Sequence, residues 1–283
     1  MPKAIDLHVH LPMDEWLENA IGPHLEATEA YFRARVQRKT IEEVASEYGS
    51  HDILGVVLDW DDHTATGRGW LGNDWLAGLS QRFPGVLMGF GSVDPYDERA
   101  LAEMERCQEI GLKGLKFHPT MQRFHPGEQR FYPLWAKAEE LGLICLFHTG
   151  TCGIAAGTPG AGGTKISYSH PRFLDLLGAD FPALTLIAAH FGWPWFMECL
   201  AIALHKSNVY LELSGWAPKY LPPEVVREIG KRLNDQTLFG SDYPFISLDR
   251  WFAEFDDLRL SDDARRAILV GNASRLLGLE DPA

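Results

Sequence analysis

The sequence predicts an α/β protein folded as a (β/α)8 TIM barrel, and three observations carry that prediction. Eight short β-type runs alternate with helical stretches along nearly the whole chain, the runs are almost continuously apolar, and their polar residues gather at their C-terminal ends. Near-continuous apolarity suits parallel strands covered on both faces. A doubly wound open sheet is the alternative, because alternation alone does not prove closure. The 283 residues, 46% of them hydrophobic, suffice for one large core, and 1–283 reads as a single domain.

The first run, KAIDLHV (3–9), carries His8 next to its end and leads directly to His10. A long segment, about 12–52, separates it from ILGVVLDW (53–60) and reads as an insertion after strand one. VLMGFGSV (86–93) precedes the amphipathic DERALAEMERCQEIG (97–111), and GLKGLKFH (111–118) precedes FYPLWAKAEELG (131–142). LICLFHTG (143–150) runs into TGTCGIAAGTPGAGGTKISYSHP (149–171), a glycine-rich stretch without a regular period. Such a stretch reads as a lid-like βα loop over the barrel mouth, and it lacks the spacing of a phosphate-binding loop. TLIAAHFG (185–192) and VYLELSGW (209–216) follow. PPEVVREIGKRLND (222–235) opens with prolines, which fit a first helical turn because the N–H they lack has no partner there. TLFGSDYP (237–244) is the last strand, and DDARRAILVGNASRLLG (262–278) the closing helix.

A formal net charge of -13 argues against a nucleic-acid partner held through phosphates. The basic RARVQRK (33–39) sits among acidic residues and reads as a solvated helix face. Four scattered cysteines without a C-x-x-C pair, together with no charged-then-apolar leader, predict a reduced, cytoplasmic protein. No apolar run approaches the roughly 20 residues that cross a bilayer.

The chemical signal is the placement of the polar residues. His8 and His10 end strand one, His118 strand four, His148 strand five, His190 strand six and Asp242 strand eight. In a parallel barrel these ends share one mouth. Side chains two apart on a strand point to the same face, so His8 and His10 can grip one ion. His148 and Asp242 are the candidates for further ligands, since imidazole and carboxylate suit divalent metals.

The combination DLHVH, GLKGLKFHP, CLFHTG, AAHFGWPW, LFGSDYP and NASRLLGL resembles the amidohydrolase superfamily. The resemblance is closest to the amidohydrolase-2 branch that includes the aminocarboxymuconate semialdehyde decarboxylase group. It runs from the first strand to the last helix. It implies a distorted TIM barrel of the metal-dependent hydrolase type with one divalent metal, usually zinc, with manganese as the alternative. His8, His10, His148 and Asp242 would be ligands and His190 the base, with Asp242 also shuttling a proton. Keeping histidine at position 8, where some members carry glutamate, leans toward the semialdehyde decarboxylase and hydratase-like members. The resemblance also raises the expectation of a homodimer.

An imidazole of ordinary pKa about 6.5 works as acid or base near neutrality, which suits His190 independently of the resemblance. Lys116 and His118 are candidates for substrate contact, with a metal-bridging carboxylated lysine as the second reading of Lys116. Lys165 and Tyr168 are the loop candidates for an anionic group. Arg33, Arg35 and Arg68 are weaker ones. Aromatics crowd the strand ends, and a minority of them, Trp193 included, should line a pocket for a flat substrate. The expected function is a divalent-metal-dependent nonoxidative decarboxylase of an unsaturated or aromatic carboxylic acid, using metal-activated water and a histidine base. A hydrolase or hydratase acting on a lactone, amide or conjugated acid at the same site is the alternative. A non-catalytic protein stabilised by a closed metal site is the third reading. The substrate is expected to be a small carboxylic acid.

Overall fold

The computed structural model describes residues 2–279. Eight parallel strands form: β1 (Ala4–Val9), β2 (Ile53–Val57), β3 (Leu87–Gly89), β4 (Gly114–Phe117), β5 (Ile144–His148), β6 (Leu186–Ala189), β7 (Val209–Glu212) and β8 (Thr237–Leu238). They pair as β1-β2-β3 and β4-β5-β6-β7-β8. Single parallel bridges, Gly91 to Leu115 and Val9 to Tyr243, join the two sheets at both seams. The result is a closed barrel, so the open-sheet alternative falls.

The strand interiors explain the closure. Ile5, Leu7, Leu54, Val56, Ile144, Leu146, Ile187 and Leu238, contributed by five strands, form one buried cluster. Each side chain of this kind contributes about 1.5–3 kcal/mol when fully buried. Val270, Ala273 and Leu277 of the C-terminal helical segment join the same cluster and seal the barrel under that layer. The outward strand faces pack on the surrounding helices in the larger cluster, where Ala4, Val9, Leu115, Phe117 and Phe147 meet Trp135, Phe173 and Leu174.

β1 carries an irregularity that the sequence pattern does not announce. Its pairing with β2 slips by one residue between Asp6 and Val9. Ile5 and Leu7 therefore point into the apolar layer, and His8 and His10 also point inward above it, while Asp6 faces out to Tyr48 and Ser241. A bulge of this kind re-aims side chains next to active sites.

Between β1 and β2 lie a short helix (Asp14–Trp16), a helix (Leu25–Phe32) and a third (Ile41–Ser50) closed by a Thr40/Glu43 capping box. Residues 33–39 depart from the expected helix face: the helix stops at Phe32, Arg33 turns left-handed at φ 52°, and the chain runs irregularly to Thr40. A cluster of solvated cations has no apolar face with which to hold a helix. The helix expected over 222–235 spans only Pro223–Ile229, because Gly230 ends it and the Leu233 N–H turns back to the Glu228 carbonyl. Residues 149–171 form short 3-10 turns, Pro159–Gly163 and Ile166–Ser169. Among the described residues no helix is long and apolar enough to cross a membrane.

Candidate active site

The barrel mouth collects the polar strand ends. Asp242 Oδ1 lies 3.7 Å from His8 Nε2 and 3.6 Å from His10 Nε2. Two ligand atoms of a tetrahedral zinc centre stand about 3.4 Å apart when each bond is near 2.1 Å, so this spacing fits a cation after small adjustment. All three residues are buried, and neutral imidazoles are required for ligation. Burial, reinforced by the Lys116 charge, holds His8 and His10 well below the ordinary histidine pKa. The same causes lower His190, burial first.

Hydrogen bonds orient the rings. His10 Nδ1 lies 3.2 Å from the Leu58 carbonyl and His148 Nε2 lies 3.0 Å from the Thr151 carbonyl. A carbonyl can only accept, so each ring donates there and presents its other nitrogen, unprotonated, to the site. His148 Nδ1 then faces His190 Nε2 at 3.0 Å. Its ligand atoms also group with His118 and Cys152, separately from the His8, His10 and Asp242 group.

The backbone is bent to achieve this. His190 and Asp242 adopt left-handed conformations at φ 62° and 63°. A non-glycine residue held there costs of order 1–3 kcal/mol and persists only where its surroundings impose it. In both cases the strand ends one residue or a few earlier, and the turn aims the side chain across the mouth.

Lys116 is fully buried, with Nζ 3.3 Å from His8 Nε2. Burial pulls its pKa down, and burial pushes the carboxyls of Glu212 and Asp242 up. His118 stacks on His148 with ring centres 4.0 Å apart. Both Lys116 and His118 line the pocket above the site, as does Trp193. Lys165 is exposed on the loop, 5.9 Å from the Tyr168 ring, and neither lines the pocket. Arg33 and Arg35 lie in a surface groove with Glu26 and Glu29, and Arg68 pairs with Asp62 at 3.6 Å.

Three contributions were missed in the sequence reading. Glu212 and Ser214 are completely buried beside His8 and His190, with Glu212 Oε2 2.9 Å from His8 Nδ1 and Ser214 Oγ 2.8 Å from His190 Nδ1. The signal existed in VYLELSGW, where Tyr210, Glu212 and Ser214 alternate with apolar residues. Trp16 stacks on His10 at 4.9 Å and donates to Asp59. Nothing local in the sequence marks Trp16 as a pocket residue.

The Amidohydrolase family matches this chain over residues 5–279. The chain belongs to the amidohydrolase family. As an amidohydrolase it is a metal-dependent enzyme, and the donors at its mouth suit that chemistry. It is similar to an uncharacterized TIM-barrel protein from Bordetella bronchiseptica, at 25% identity and TM-score 0.81, covering 97% of this chain and 98% of that one. It shares its fold with a dihydroxybenzoic acid decarboxylase from Polaromonas sp. JS666 with bound manganese and 2-nitroresorcinol. That match has 21% identity, TM-score 0.72 and coverage of 100% and 98%. A probable 2-pyrone-4,6-dicarboxylic acid hydrolase from Acinetobacter baumannii also shares it, at 16% identity, TM-score 0.66 and coverage of 98% and 100%. No curated protein matches the chain.

Proposed function

We propose that this amidohydrolase is a nonoxidative decarboxylase of an aromatic or conjugated monocarboxylic acid. The observation that carries the reading is the lining of its pocket. Trp16, Trp60, Trp193, Trp216 and Phe245 supply flat apolar walls, while Lys116 at the floor is the one lysine and, among the described residues, no arginine joins it. Flat walls select a planar substrate, and one cation beside the metal donors accommodates one carboxylate rather than two. Decarboxylases of small aromatic acids among the structures of this fold support the same reading.

His8, His10 and Asp242 would hold one divalent ion, with His148 the fourth ligand after a small ring movement. Zinc is the first choice and manganese the second, since a mixed imidazole and carboxylate set serves both. The ion supplies positive charge at the carboxylate end of the substrate. Lys116 adds a second charge there and orients the acid. In the reaction the bond from ring carbon to carboxylate breaks, its electron pair stays on carbon, carbon dioxide leaves and a proton takes its place. His190, presenting Nε2 to the site, takes that proton from water and delivers it to the carbon, with Asp242 at the same mouth as a second proton carrier. The 149–171 loop acts as a lid through residues 151–154, which line the pocket. Four free cysteines, all buried, suit the cytoplasm.

The test is mass spectrometry of a panel of aromatic and conjugated acids, dicarboxylic acids and lactones incubated with zinc- or manganese-loaded protein, with His190→Ala as control. Conversion of a monocarboxylic acid to a product lighter by one carbon dioxide supports the reading. A gain of water on a lactone would replace it with the hydrolase reading.

A further inference from the structure

We propose that Glu212 and Ser214 are positioning residues that fix the tautomers of His8 and His190 together, so that one buried carboxylate orients both the metal-facing and the proton-moving imidazole. The part concerning His190 rests on the proton-transfer role given to it above.

The proton count decides the arrangement. Glu212 Oε1 accepts the Ser214 N–H at 2.6 Å, and Oε2 stands 2.7 Å from Ser214 Oγ and 2.9 Å from His8 Nδ1. Ser214 Oγ in turn lies 2.8 Å from His190 Nδ1 and 3.1 Å from His8 Nδ1. With a cation held at His8 and the Lys116 charge nearby, both favouring the ionised form against burial, Glu212 is a carboxylate, so the hydroxyl has one proton and the carboxylate has none. If Ser214 gave its proton to His190, two oxygen lone pairs would face each other at the 2.7 Å contact with Glu212. The hydroxyl therefore donates to Glu212, and its oxygen accepts from His190 Nδ1–H. His8 Nδ1–H donates to Glu212 as well. Both rings then present an unprotonated Nε2 to the mouth, His8 toward Asp242 and His190 toward His148 Nδ1 at 3.0 Å, an approach of two unprotonated nitrogens that is relieved when the His148 ring turns to a bound ion, the loaded state in which the tautomers are read.

The chain is shaped around this network. A Cβ at Gly240 would sit 1.8 Å from Glu212 Oε1, and a Cβ at Gly215, whose φ is +77°, would sit 2.6 Å from His190 Nδ1. Two glycines on adjacent strand ends thus leave room for a carboxylate and an imidazole that are otherwise fully enclosed. Glu212 ends β7 and Ser214 lies two residues beyond it, where the hydrogen bond from its N–H to Glu212 Oε1 keeps the two side chains together.

The experiment is nitrogen NMR of zinc-loaded protein labelled at histidine, comparing wild type with Ser214→Ala, Ser214→Thr and Glu212→Gln. In wild type both His8 and His190 should carry the proton on Nδ1. Ser214→Ala should erode that preference at His190 while His8 and bound zinc are unchanged, and kcat should fall roughly 10–100-fold with KM little altered. Ser214→Thr, which keeps the hydroxyl, should restore both readouts. An Nδ1–H at His190 that persists in Ser214→Ala overturns the proposal. Should Ser214→Ala not fold, Glu212→Gln decides: zinc affinity should drop roughly 10–100-fold, and an unchanged affinity with an unchanged His8 tautomer refutes the role. The tautomer readout needs no turnover, so a protein that decarboxylates nothing on the panel defeats the functional reading and leaves this one standing.

Discussion

At the scale of single residues, the proposed mechanism separates groups that would hold the metal from the one that would move a proton. His8→Ala or Asp242→Ala should abolish both bound metal and activity. His190→Ala should keep the metal, measured by elemental analysis, and lose roughly 10²–10⁴-fold in rate. Normal turnover by His190→Ala would remove it from the mechanism. A second residue-scale prediction concerns Asp59, which is fully buried yet accepts from the Trp16 indole and the backbone N–H groups of Trp60 and Leu71. Burial outweighs these donors and raises its pKa from 3.8 to about 7. The folded state then holds a proton that the unfolded state has released between those two values, so stability falls as pH rises through that window. Asp59→Asn should flatten this slope in denaturation midpoints compared at about pH 5 and about pH 8. An unchanged slope would assign the pH dependence elsewhere. The histidines and Asp242 were legible in the sequence because they interrupt apolar strands. Trp16 was not, since it meets His10, on β1's exit, and Asp59, beyond β2, only once the chain between the two strands has folded back over the mouth.

At the scale of elements, all eight strands were legible from their apolar runs, but their ends were not. The run 237–244 was read as one strand, whereas only Thr237–Leu238 pairs regularly, and the remainder turns so that Asp242 crosses the mouth. The slip in β1 was equally hidden, because pairing register belongs to two strands at once. The turns after β5 and β6 are locked to each other: Thr151 N–H donates to the Trp193 carbonyl at 2.8 Å, and Gly150 N–H to that of Ser169 at 2.8 Å. Gly150 has φ +89°, and a Cβ there would lie 2.1 Å from the Trp193 carbonyl oxygen. Gly150→Ala should therefore cost about 2–4 kcal/mol, combining left-handed strain with displacement of a backbone atom. Because the displaced turn follows His190, activity should fall further than the loss of folded protein explains. Wild-type stability by denaturant titration would refute the locking.

At the scale of the whole molecule, the two seams of the barrel are closed differently, and the difference ties folding to metal. The β3–β4 seam is held by backbone bonds, with Gly91 N–H reaching the Gly114 carbonyl and Lys116 N–H the Gly91 carbonyl, and by the Ser92 hydroxyl donating to the Lys116 carbonyl, with no candidate metal ligand pair across it among the described residues. At the β8–β1 seam the backbone bonds from Leu7 to Phe239, His10 to Tyr243 and Asp242 to His8 are supplemented by Asp6, which accepts both the backbone N–H and the hydroxyl of Ser241. The candidate ligands straddle that seam, His8 and His10 on one side and Asp242 on the other. An ion held between them is a cross-link that exists only in the folded barrel, so it stabilises by mass action and does so most where it sits. Removing metal with a chelator should lower the melting temperature. It should also speed hydrogen exchange at the amides of His10 and Asp242, while those of Gly91 and Lys116 serve as the internal reference and change little. Equal acceleration at both seams would mean that metal stabilises the barrel globally and does not clamp β1 to β8. Acceleration at neither would place the ion away from His8, His10 and Asp242 altogether.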